Sequence, residues 1–277
     1  MSMDQRGIKR RDFLQRVALA GVASTVWPRL IDAASTDRVT ILSSIALDTL
    51  HPYAYSSGPQ YGIWFNMIEP LVDVDFVKRS YFGVLAESWE FQGKKWVFKL
   101  RKNVRFHDGS LFTAADVIYS FNRIKNDKLS LQKENFRDLV EMQALDDHTL
   151  AFITEAPNAV FLDRLENRFI IAKNGTEAQG GEPGEQKPIG TGPFRFVSWQ
   201  RDGNLVVTRH DHYWRTKAGV KEIVTRRVKE DAARVAGLLA GQGDLINNVP
   251  VEELSRFENM PRSGRKKSKG SGCISSP

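Results

Sequence analysis

The sequence contains a single cysteine, Cys273, among 277 residues. One thiol excludes a disulfide within the chain and excludes a cysteine–histidine metal cluster. Past the N-terminal leader there is no second apolar run long enough to span a bilayer. A basic groove for nucleic acid is missing too, although the formal charge is +7 and the pI about 9.5. The positive charge is confined to the ends: residues 1–34 carry a net +3, residues 262–277 a net +5, and the stretch between them a net −1. Basicity distributed in this way describes two termini and gives no binding face for a polyanion. Stability without disulfides has to come from a sizeable packed core.

Two further absences concern chemistry. Gly190 and Gly192 lack the longer glycine pattern and the Lys–Ser/Thr ending of a phosphate cradle, and a strand follows them. His210 and His212 would face opposite ways on a strand, and no third ligand converges on them, so they are read as surface polar residues beside a packed Tyr213–Trp214 pair. His107 and Asp108 read as turn residues. No serine, cysteine or carboxylate constellation has the form of an enzyme site, and no cofactor is expected.

What is present begins with targeting. Lys9, Arg10 and Arg11 precede Phe13 and Leu14, and a short apolar run covers residues 17–28. This looks like a twin-arginine export signal, with Gln15 where a basic residue is common. The mature chain is expected to begin in the thirties.

The body alternates strand and helix patterns. Residues 39–45 read as a first strand, followed by a turn-forming passage that holds Tyr53 and Tyr55. Ser44 near the end of that strand, and Tyr53 and Tyr55 beyond it, lie where ligand-facing residues often sit, and are the candidate ligand-binding residues. A helix is expected over 60–72, with Tyr61, Trp64, Phe65, Ile68 and Leu71 at near-helical spacing. Trp96, Phe98 and Leu100 alternate with Val97 and Lys99, and Gly93 turns the chain from the strand before them. Thr113 and Asp116 form a capping pair for a helix over 113–124, with Phe112 and Val117 stapled across it. Residues 125–141 read as a polar surface stretch and 175–187 as a mobile loop. Strands are expected at 149–154, 194–199, 205–208 and 220–228. A helix over 231–240 then leads to an extended segment at 244–246, giving a β-α-β unit whose exit strand is expected at the centre of a sheet.

Five pieces of this sequence carry a family resemblance through their order and spacing. They are residues 96–109, the FTAADV run at 112–117, GTGPF at 190–194, HYW at 212–214, and DAARV at 231–235 with GQGD at 241–244. Over residues 38–255 the chain resembles the family 5 solute-binding proteins of ABC importers, the dipeptide, oligopeptide and nickel-binding class. The resemblance implies a mixed α/β fold of the periplasmic-binding-protein type II, with this chain forming the first lobe of a two-lobed clamshell. It also implies an extracytoplasmic monomer that closes over a peptide or other small solute and hands it to ABC permease subunits in the inner membrane.

The family continues into a second lobe, whereas residues 262–277 read RSGRKKSKGSGCISSP and lose all apolar periodicity. The expectation is a frameshift, premature stop or gene-model error there; a genuine basic linker is the other reading. Three functions stand: a transport receptor or a fragment of one, a non-binding remnant or interaction module, and an exported hydrolase.

Overall fold

The computed structural model describes residues 37–54, 58–180 and 186–253. The expected leader at 1–34, the expected tail at 256–277 and Tyr55 lie outside the described residues.

The chain runs through β1 (Arg38–Ser43), α1 (Gly58–Trp64), β2 (Val72–Asp75), β3 (Ser80–Gly83), β4 (Ala86–Gln92) and β5 (Lys95–Leu100). Next come α2 (Ala114–Asn126), a 3-10 turn (Lys133–Phe136), β6 (Leu139–Asp146), β7 (Thr149–Thr154), α3 (Phe161–Leu165) and α4 (Lys173–Glu177). The described elements end with β8 (Phe194–Trp199), β9 (Asn204–Arg209), β10 (Glu222–Arg227), α5 (Asp231–Leu239) and β11 (Leu245–Ile246).

Two sheets organise this mixed α/β fold. The first has the order β11-β1-β10-β9-β8, with β1 parallel to both β10 and β11 and the remaining pairs antiparallel. The second is the antiparallel sheet β4-β5-β7-β6. The alternation in β5 buries Trp96, Phe98 and Leu100. Phe98 meets Phe152 of β7 edge-on at 5.6 Å, and Phe152 in turn packs 4.8 Å from Phe121 of α2. Each such side chain contributes roughly 1.5–3 kcal/mol by leaving water. Gly93 turns the β4–β5 hairpin at φ +67°, a conformation that suits glycine.

At the start of α2, the Thr113 N–H donates to Asp116 Oδ2 at 2.9 Å, and the Thr113 hydroxyl donates to the same oxygen at 3.0 Å. Phe112 and Val117 are buried on either side of that cap. Asp116 Oδ1 also accepts the N–H of Lys173 at 2.9 Å, so one carboxylate joins α2 to the first residue of α4.

Several expectations need correction. The helix expected over 60–72 stops at Trp64. The carbonyls of Asn66 and Met67 accept the N–H groups of Phe194 and Gly192, which draws the chain out of the helix before Pro70. Residues 125–141 are not superficial throughout: Phe136 and Leu139 have no exposed surface, and Leu139 opens a strand that the polar reading missed. Part of the expected loop at 175–187 belongs to α4, and residues 181–185 lie outside the described residues. The β-α-β unit forms, but β11 stands at the edge of the described sheet, because α5 carries the chain over β1. His210 is buried and lies just beyond β9, so it is not a surface residue.

Candidate functional site

The three parallel strands β10, β1 and β11 release their carboxyl ends on one edge of the first sheet. In open α/β sheets this is the edge at which ligands are held. Ser43 closes β1 and Ser44 follows it. The Ser44 N–H donates to Asn247 Oδ1 at 3.0 Å, and the Ser44 hydroxyl accepts from Asn248 Nδ2 at 3.3 Å. Asn247 Nδ2 donates to Ser43 Oγ at 3.0 Å, and the same oxygen accepts the Ile45 N–H at 3.0 Å. On the other side, the Val228 N–H donates to the Ser43 carbonyl at 2.8 Å. A half-buried serine, an exposed asparagine and their neutral partners therefore form a rim of uncharged donors and acceptors. Such a rim suits hydrogen bonds to amide and hydroxyl groups.

Behind that rim lies Arg234 of α5, 1% exposed. Its Nη1 donates to the carbonyls of Val228 at 2.9 Å and Lys229 at 2.7 Å, past the end of β10. Its Nε donates to the carbonyl of Asn247 at 3.3 Å and its Nη2 to that of Asn248 at 3.2 Å, past the end of β11. Nη2 also pairs with the Asp231 carboxylate.

A second polar cluster sits inside the lobe, around Glu69. The carboxylate is 4% exposed and accepts the Thr191 hydroxyl at 2.8 Å, the Trp214 indole N–H at 2.7 Å and the Tyr213 hydroxyl at 2.8 Å. Burial pushes the Glu69 carboxyl upward, and the three donors oppose that shift. Gly190 and Gly192 pack against residues 66–68. A Cβ on Gly190 would lie 2.3 Å from the Met67 carbonyl oxygen, and one on Gly192 would lie 2.7 Å from the Met67 carbonyl carbon. Close backbone approach accounts for both glycines. His107 accepts the Gly190 N–H on Nδ1 at 3.3 Å, which leaves Nε2 to donate to the Gly192 carbonyl at 3.1 Å. His210 Nδ1 donates to the same carbonyl at 3.2 Å, and the two imidazoles meet edge-on at 5.1 Å. Burial pushes His107 down to about 3 and lowers His210 as well. Paired across distant segments and turned inward, these groups hold the fold together.

The sequence-predicted residues separate in the structure. Ser44 stands at the strand exits. Tyr53 belongs to the core at 0% exposure; its hydroxyl donates to the Phe169 carbonyl at 2.8 Å, and its N–H donates to His51 Nδ1 at 3.2 Å. Burial raises the Tyr53 hydroxyl well above its ordinary value. A side chain so enclosed presents no atom to a ligand in this arrangement, because the loop holding it folds inward where an outward turn was expected. Tyr55 lies outside the described residues. Asn247, Asn248, Arg234 and Glu69 were missed. Glu69 had a signal, since one carboxylate in the apolar run MIEPLV requires buried partners. Arg234 had a similar one, an arginine beside Val235 on an otherwise small and apolar helix.

No group of three or more His, Cys, Asp or Glu able to hold a metal occurs among the described residues, and no described helix is long and apolar enough to cross a membrane.

Comparison with known proteins supplies the lineage. The glutathione-binding protein GsiB of Pectobacterium atrosepticum is 30% identical over 250 residues, which is 87% of this chain and 46% of that protein. The dipeptide-binding protein of Escherichia coli is 30% identical over 278 residues, 90% of this chain and 51% of that one. The solved structure of the periplasmic binding protein DppA from Helicobacter pylori, in complex with the peptide STSA, is similar with a TM-score of 0.72 and 26% identity. That similarity covers 81% of this chain and 49% of DppA. The chain thus spans about half the length of the curated relatives it matches. These neighbours are solute-binding proteins of the type II periplasmic fold, as the family resemblance implied. The family model for the bacterial extracellular solute-binding proteins, family 5, matches residues 81–274, and the chain belongs to that family.

Proposed function

We propose that this chain supplies the first lobe of an extracytoplasmic receptor of an ABC importer, and that the receptor captures peptides. The observation that carries the reading is the uncharged hydrogen-bonding rim of Ser44, Asn247 and Asn248 at the carboxyl ends of three parallel strands. It supports a mechanism without bond chemistry. Solute bound at the rim favours a closed arrangement of two lobes, and the population shifts by the difference in affinity between closed and open forms. The closed form is then what the permease subunits of the inner membrane receive. Relatives named for glutathione and for dipeptides support a short peptide as the solute. The Arg10–Arg11 leader supports delivery to the periplasm by the twin-arginine machinery, the family resemblance supports a monomer, and the charge distribution supports the absence of a nucleic-acid partner.

The test is isothermal titration of the two-lobed receptor, this chain supplied with a second lobe, with glutathione, the dipeptide Met–Leu and the tetrapeptide Ser-Thr-Ser-Ala. The expected result is one-to-one binding of at least one of them, weakened about tenfold by Asn247→Ala, which corresponds to about 1.4 kcal/mol. Silence from all three peptides overturns the peptide reading, and so does binding that Asn247→Ala leaves unchanged.

A further inference from the structure

The exits of β10 and β11 are not neighbours in the sheet, because β1 lies between them. Their common tie is one guanidinium. Arg234 carries five N–H groups, one on Nε and two on each terminal nitrogen. The structure gives an acceptor to every one of them: the carbonyls of Val228 and Lys229, the carbonyls of Asn247 and Asn248, and the Asp231 carboxylate. A fully matched, fully buried fork of this kind fixes geometry as well as charge. Lysine has three donors on one atom and cannot span both exits.

The segment that Arg234 grips has an unusual shape of its own. Asn248 is left-handed at φ +51°, a conformation that costs energy for any residue other than glycine and is cheapest for asparagine. With the carbonyls of Asn247 and Asn248 both held, the Asn247 side chain is aimed back across β1. There it meets Ser43 Oγ and the Ser44 N–H. The hydrogen bonds of Arg234 go to neither serine.

We infer that Arg234 is a positioning residue for the solute-binding rim, acting on Ser44 through the backbone and side chain of Asn247. The inference deepens the receptor reading by naming what presets the rim. As a statement about Ser44 and Asn247 it holds whichever solute binds.

Amide hydrogen exchange on the whole chain tests it without any ligand. In Arg234→Lys, exchange at Ser44 should rise about tenfold or more, while amides of β5 and β7 keep their wild-type rates. Asn247→Ala should give the same rise at Ser44, and the double variant should add nothing to it, because the two residues act in series. Additive effects at Ser44 would overturn the inference. So would faster exchange confined to α5 with Ser44 unchanged, since that describes a residue that merely anchors its own helix. If Arg234→Lys does not fold, Asp231→Asn leaves the guanidinium in place and removes one acceptor's charge. It should raise exchange at Ser44 about threefold, and an unchanged rate there overturns the inference equally. Failure of the peptide titration leaves these outcomes untouched, so the two readings fail separately.

Discussion

The indole N–H of Trp214 donates to the buried Glu69 carboxylate at 2.7 Å, across 145 positions of sequence. The guanidinium groups of Arg215 and Arg101 lie over the same indole ring, at 4.3 and 5.0 Å. Two of the family motifs, GTGPF and HYW, therefore converge on a glutamate that neither contains. Thr191 comes from the first motif, and Tyr213 and Trp214 from the second. The two motifs meet in this chain for a structural reason: each supplies donors that a buried carboxylate requires.

Glu69→Gln tests that convergence. An amide keeps the size of the side chain but turns one acceptor into a donor that faces groups already donating. Urea unfolding should show a loss of about 2–4 kcal/mol, whereas Trp214→Phe, which leaves two donors in place, should cost about 1–3 kcal/mol.

The pH dependence of stability follows from the histidines. His107 is held down to about 3 by burial, against an ordinary value near 6.5, and His51 and His210 are also lowered. The unfolded chain takes up protons below about pH 6.5 that the folded chain refuses, so stability is complete above that pH and falls as the pH drops toward 3. His107→Gln retains one acceptor and one donor but does not titrate. Between pH 7.5 and 5, urea unfolding should show the wild type losing about 2 kcal/mol more than this variant.

Gly192→Ala should be among the costlier small substitutions. Its added carbon would lie 2.7 Å from the Met67 carbonyl carbon and 2.8 Å from the Asn66 carbonyl oxygen, and backbone cannot yield as a side chain can. Unfolding should show a loss of at least about 2 kcal/mol. The same change at Gly219, where nothing lies within 4 Å, should stay within about 0.5 kcal/mol.

Asp116→Ala should weaken more than a helix start. It removes the acceptor for Thr113 and releases the N–H of Lys173. The expected loss is about 2 kcal/mol, larger than the ~1 kcal/mol of an ordinary cap, by thermal or urea unfolding.

Where local rules act alone, the sequence was readable. The β4–β5 hairpin follows from alternation and Gly93, α2 from its cap and staple, and β8–β9 from two apolar runs around a polar turn. Reading failed where distant segments compete for the backbone. Apolar spacing continues through Ile68 and Leu71, yet α1 ends at Trp64 because residues 190–194 take the next carbonyls. In β6 the register shifts twice, so its alternation is broken and the strand was taken for surface. The site divided in the same way. Ser44 could be placed at a strand exit because the strand before it is recognisable. Tyr53 was misjudged because an aromatic in a loop looks the same from sequence whether it turns outward or in. Asn247 had meaning only once β11 was laid against β1, and the sequence around Arg234 signalled burial without saying which carbonyls it would hold.

The most direct test of the account maps solute contact on this chain when it is supplied with a second lobe, by amide chemical shifts recorded as Met–Leu or Ser-Thr-Ser-Ala is added. The account predicts that the largest changes fall at residues 44–46 and 247–248, with β4 and β5 silent. Shifts centred on the β4–β5 sheet, or a spectrum unaltered by either peptide, would contradict it.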